Sequence, residues 1–155
     1  MTLTLPVLWV SLFSMCDLTA ISSENRIILN LFFYIGVAIF IFGFAIEIIA
    51  DNQKSKFRSI EANKNSFITT GLWAKSRHPN YLGEILLWLG VAVISFSSLS
   101  GWQYLTLISP IFTYLLLVYV SGVRMLEERG EKKWGHNEEY IKYKSTTPRL
   151  FFNLK

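Results

Sequence analysis

Long apolar runs alternate with short charged stretches along this chain, and the lengths of those runs predict its elements. Residues 3–16 form an apolar segment with no basic residue before it, which reads as a membrane segment rather than a cleaved leader. Asp17 to Arg26 is a polar connection in which Ser22, Ser23 and Glu24 predict a serine-capped helix start. Ile27 to Ala50 is broken only by Asn30 and Glu47 and is long enough to cross a hydrocarbon core of about 30 Å. Helical spacing continues through Asp51 to Arg58, and Asn63 to Ser66 predicts a loop. Pro79 to Ser98 is the next span, with proline pre-set for a first helical turn. The three-residue link Leu99–Gly101 makes it an antiparallel hairpin with a span over Trp102 to Val123, which Pro110 is expected to kink. From Arg124 the chain is amphipathic and charged.

This pattern predicts an all-α integral membrane helical bundle of about four transmembrane helices, followed by cytoplasmic amphipathic C-terminal helices. Composition agrees, with 52% hydrophobic and only 17% charged residues where a soluble domain carries about a quarter. The charges carry topology. Six of the fifteen cations lie between Lys54 and Arg77, and eight lie from Arg124 to Lys155. Such clusters mark the cytoplasmic side, so both termini are expected there. They speak for lipid head groups before any nucleic acid. One cysteine and two distant histidines exclude an internal disulfide and a zinc motif, and no metal site is expected.

Chemistry concentrates at Gly71 to Glu84, where Arg77, His78, Asn80, Tyr81 and Glu84 crowd the mouth of a span. A carboxylate one turn inside an apolar run needs a partner, which marks Glu84. Asp51 lies at the exit of the preceding span, one turn beyond Glu47, and Arg58 follows on the same helical stretch. Trp134, His136, Tyr140, Tyr143, Lys144 and Arg149 follow in the amphipathic region. Arginine forks for phosphates, carboxylates for ribose hydroxyls and aromatics for a planar ring suit a nucleotide. The bland readings are interfacial lysines, a solvated amphipathic helix at Glu127–Arg129 and interfacial tyrosines.

Ser76 to Glu84, followed by Glu127–Glu128, Trp134–Gly135, Tyr140, Tyr143 and Thr147–Pro148, resembles the steroid 5-alpha-reductase C-terminal domain family, closest to its bacterial membrane branch. The resemblance divides the chain into residues 1–39, an N-terminal membrane segment with the start of the second span, and residues 40–155, the reductase-like membrane domain. It implies NADPH-dependent reduction of an activated carbon–carbon double bond in a lipophilic, steroid- or isoprenoid-like substrate, in a bacterial inner membrane. It further implies that Asp51, Arg58, Asn80 and Glu84 hold the dinucleotide, with Arg77, His78, Tyr81, Tyr140 and Lys144 around it. No catalytic residue is assigned, because the family's substrate-side tyrosine and carboxylate have no clear equivalent in the roughly forty residues upstream. A shortened member, or an oligomer that completes the bundle, is compatible with this. Isoprenylcysteine carboxyl methyltransferases share Arg-His-Pro-x-Tyr, a glutamate pair and the Gly135–Tyr140–Tyr143 spacing, and use S-adenosylmethionine. The Asn80–Glu84 form favours the reductases. A non-catalytic membrane module is the third reading.

Glu84→Gln and Arg77→Ala are expected to abolish NADPH binding without affecting membrane insertion, whereas Lys64→Ala leaves affinity unchanged. Membrane fractionation and titration of the three variants check this.

Overall fold

A computed structural model of the chain describes residues 18, 19, 21, 29–120 and 122–152. The fold is all-α, with no strand among the described residues. The expected membrane segment over residues 3–16 and the serine cap at Ser22–Glu24 lie outside the described residues. Three helical stretches are long and apolar enough to cross a membrane: Leu31–Ser59, Pro79–Ser98 and Gly101–Trp134. Their apolar side chains remain outward, with Ile41 and Phe42 each 59% exposed. A water-soluble protein rarely presents so much contiguous apolar surface, whereas lipid tails cover it at no cost.

Helix α1 spans Leu31–Ser59. It starts four residues later than the apolar run because Asn30 is its cap: the Asn30 Oδ1 accepts from Phe33 N at 3.1 Å. The same asparagine that interrupts the run therefore begins the helix. The charged Asp51–Arg58 stretch continues α1 without a break, as its spacing predicts. Asn63 Nδ2 donates to the Phe57 carbonyl at 3.1 Å and satisfies one of the terminal acceptors.

Helix α2 spans Pro79–Ser95 and runs into a 3₁₀ turn, Phe96–Ser98. The short link then turns the chain into a second 3₁₀ segment, Gly101–Leu107, where Ser100 N donates to Gln103 Oε1 at 2.9 Å. Pro110 does not interrupt a continuous α-helix. Helix α3 begins at Ile108, directly after that 3₁₀ segment, which puts Pro110 close to the junction between the two windings. Irregularity falls instead on the preceding 3₁₀ segment and on a π-turn at Leu116–Val120. Helix α4 (Val123–Trp134) and helix α5 (Glu138–Thr146) follow. Asn137 caps α5 by accepting from Glu139 N and Tyr140 N. Thr147, restricted to extended backbone by Pro148, ends it.

The described chain forms two compact units. One comprises the residues up to Gly43 and Ile85–Leu116. Within it α1 and α2 touch backbone to backbone: a Cβ on Gly90 would lie 2.6 Å from Phe40 N, and one on Gly36 would lie 2.7 Å from Ile94 N. The pairing of 36 with 94 and 40 with 90 makes the contact antiparallel. In lipid, such small-residue contacts gain dispersion and are a main source of helix association. The second unit, Phe44–Glu84 with the chain from Leu117, carries most of the charge.

Gly90→Ala should therefore destabilise the protein by about 1–3 kcal/mol, the usual range for overpacking. Detergent-phase unfolding checks this; a neutral result would mean that the two helices are not in backbone contact.

Candidate functional site

In the second unit the loop between α1 and α2 is anchored to both helices that flank the site in sequence. Gly71 takes φ +64°, a conformation that glycine adopts without strain, and turns the chain so that Leu72 N donates to Gln53 Oε1 at 2.9 Å. Trp73 follows, buried, with its Nε1 donating to the Ala50 carbonyl at 3.0 Å. The Lys54 ammonium sits 4.9 Å from the centroid of that indole. From the other side, Tyr143 OH donates to the Trp73 carbonyl at 2.6 Å. Ser76 Oγ donates to the Leu150 carbonyl at 2.7 Å, and Arg77 N to the Pro148 carbonyl at 3.0 Å. The C-terminal strand of coil is thereby stitched to residues 76 and 77.

At the centre is a cluster of three polar side chains. Glu127 on α4 accepts from Arg77 Nη1 at 2.6 Å through one oxygen and bonds His78 Nε2 at 2.8 Å through the other. The Arg77 and Glu127 side chains are each 13% exposed, and His78 is 6% exposed. Arg77 Nε and His78 Nδ1 are buried and have no hydrogen-bond partner among the described residues.

These groups line a cavity of about 130 Å³. Lys54 and Arg58 of α1 face it, and Phe67, Trp73, Trp134, Tyr140 and Tyr143 build an aromatic wall. Phe67 stacks on Tyr143 at 5.9 Å and meets Tyr140 edge-on at 5.1 Å. Burial pushes both the Tyr140 and Tyr143 phenols up, so each keeps its proton at neutral pH.

Of the residues singled out in the sequence, Arg58, Arg77, His78 and Tyr140 line this cavity. Asp51, Tyr81 and Glu84 form a second, acidic group: Glu84 lies within electrostatic reach of Glu47 and Asp51, and Tyr81 of Glu84 and Asp51. Asn80 has a buried Oδ1 without a partner among the described residues. Lys144 borders a shallower cleft with Arg77 and is hydrogen-bonded to Glu131, which raises its pKa. His136 is exposed.

Sequence reasoning names Glu127 with Arg124, Glu128 and Arg129 as a polar group and in the motif that carries the resemblance, but reads Glu127–Arg129 as a solvated helix and leaves Glu127 out of the cofactor-binding set. Glu128 and Arg129 do behave that way, Glu128 in an exposed pair with Arg124, whereas Glu127 turns inward. The signal was present in the period: Val123, Glu127, Gly130 and Trp134 recur at i, i+4, i+7 and i+11, and Val123 and Gly130 are buried. A carboxylate on the inward stripe of an amphipathic helix is a candidate partner for a buried cation. Gly130 is there because a Cβ would collide with the Tyr140 hydroxyl.

Glu127→Ala should cost about 3 kcal/mol of stability by stranding Arg77, while Glu128→Ala costs under about 0.5 kcal/mol. Chemical unfolding of both variants in detergent checks the contrast.

The chain is 29% identical to an uncharacterised protein of Schizosaccharomyces pombe, over 65% of its own length and 34% of that protein's, so it spans about a third of that relative. No solved structure matches it. Residues 1–147 match the family described as proteins of unknown function, DUF1295, and the chain belongs to that family.

Proposed function

We propose that this membrane protein binds NADPH in its second unit and reduces an activated carbon–carbon double bond in a lipophilic substrate. The observation that carries the reading is the charge balance of the inner cavity. Lys54, Arg58 and Arg77 meet the single carboxylate Glu127 there. A net positive, aromatic-lined chamber suits a phosphorylated nucleotide. It suits S-adenosylmethionine less, because that cofactor brings a sulfonium cation. The unsatisfied Arg77 Nε and His78 Nδ1 fit the same reading, as does the resemblance of residues 76–84 to the steroid 5-alpha-reductase family.

When bound, NADPH supplies the hydride. The chain's own residues bind and orient it: Lys54 and Arg58 offer charge to phosphate, and Glu127 holds Arg77 and His78 in place. The aromatic wall excludes water from the cavity. In this reading the chamber faces the cytoplasm, where the cofactor is available, and the clustering of cations in the loop and tail supports that orientation by the positive-inside rule.

Thermal unfolding of detergent-purified protein with NADPH, NADH or S-adenosylmethionine tests the proposal. NADPH at a hundred times its dissociation constant should add about 2.7 kcal/mol of apparent stability. Stabilisation by S-adenosylmethionine alone would reassign the chain to methyl transfer, and no response to any ligand would make it a non-catalytic module.

A further inference from the structure

The inner cavity is too small for the ligand just proposed. At about 130 Å³ it falls below the roughly 300–1,000 Å³ typical of small-molecule sites. A second, more open groove of about 500 Å³ adjoins it in the same unit, and Ser66, Phe67, Trp134 and Tyr143 line both. The two chambers differ in chemistry. The inner one holds Lys54, Arg58 and Arg77. The outer one holds one cation, Lys142, against one carboxylate, Glu139, and otherwise the uncharged polar side chains of Asn65, Thr69, Asn137 and Thr146.

Resting on the nucleotide reading above, we propose that the two chambers are one bipartite site, in which the inner cavity takes the phosphate groups and the outer groove takes the nucleoside. Phe67 stands at the partition, packed on Tyr143, Tyr140 and Trp134 with centroids 5.1–5.9 Å apart. The wall is rigid on its open side: Trp134 Nε1 donates to the Asn65 carbonyl at 2.7 Å, so the indole has its polar atom satisfied and its orientation held. An aromatic wall with neutral amides and hydroxyls beside it suits a purine and its ribose. Three cations behind it suit the phosphates better than the outer groove does, where Glu139 offsets the single cation Lys142. A lipid head group or free phosphate would need only the inner chamber.

The test uses adenosine and adenosine 2′,5′-bisphosphate as competitors of NADPH on the full-length protein. Arg58 and Thr69 are both exposed, so substitutions there leave the fold intact, which the unliganded melting temperature verifies. Arg58→Ala should weaken the bisphosphate at least tenfold, about 1.4 kcal/mol, and leave adenosine unchanged. Thr69→Trp, which obstructs the outer groove, should weaken both by a similar factor. Inorganic phosphate should compete with the bisphosphate but be insensitive to Thr69→Trp. If NADPH binds the wild-type protein yet Thr69→Trp leaves both ligands unaffected, or Arg58→Ala weakens adenosine as much as the bisphosphate, the bipartite site is wrong and the nucleotide reading stands. If neither NADPH nor the bisphosphate binds the wild-type protein, both fall.

Discussion

A half-desolvated carboxylate that must hold two nitrogen donors at once is the constraint on which the second unit depends. Glu127 engages Arg77 and His78 from a helix about fifty residues further along the chain. Taking three such groups out of water costs several kcal/mol each unless every one keeps its partners. The arrangement therefore ties α4 to the mouth of α2. The backbone bonds from Ser76 and Arg77 to Leu150 and Pro148 add the C-terminal segment to the same knot. Such a network contributes more to the choice of one arrangement than to net stability, because replacing it wholesale with apolar residues would also fill the space.

That specificity has a functional consequence. One carboxylate is committed to internal pairing, so Lys54 and Arg58 are left as the chamber's surplus of charge. Lys54 rests on the Trp73 face, and Trp73 is itself pinned at its indole nitrogen and its carbonyl. Lys54 is thus oriented by a neighbour whose own position is fixed by two hydrogen bonds. Preorganisation of this kind lowers the ordering cost of binding an anion. The aromatic residues both pack α5 and line the chamber.

The first unit works by different physics. Its side chains face outward in large numbers, and its cohesion rests on close backbone approach at Gly36 and Gly90 and on the small cluster of Ala92, Leu99 and Leu107. Apolar burial supplies little in lipid, so fit between small residues takes its place. The apolar runs announced these helices plainly. They did not announce which turns would be 3₁₀ or π, because those windings answer to local crowding and to the position of Pro110 within a turn rather than to hydrophobicity.

By itself the sequence determined the all-α membrane character, the extension of the first described span into a charged helix, the short hairpin link and the crowding of polar groups at Arg77–Glu84. These follow from run lengths, spacing and fixed φ, which are properties of neighbouring residues. Only the tertiary structure decided that Arg58, Arg77, His78 and Tyr140 share a chamber while Asp51, Tyr81 and Glu84 gather in a separate acidic group. It also separated Glu127 from Glu128, adjacent residues of one type with opposite fates. A helix turns by about 100° per residue, so one step along the chain moves a carboxylate from water to the interior, and the partner awaiting it comes from a distant part of the sequence.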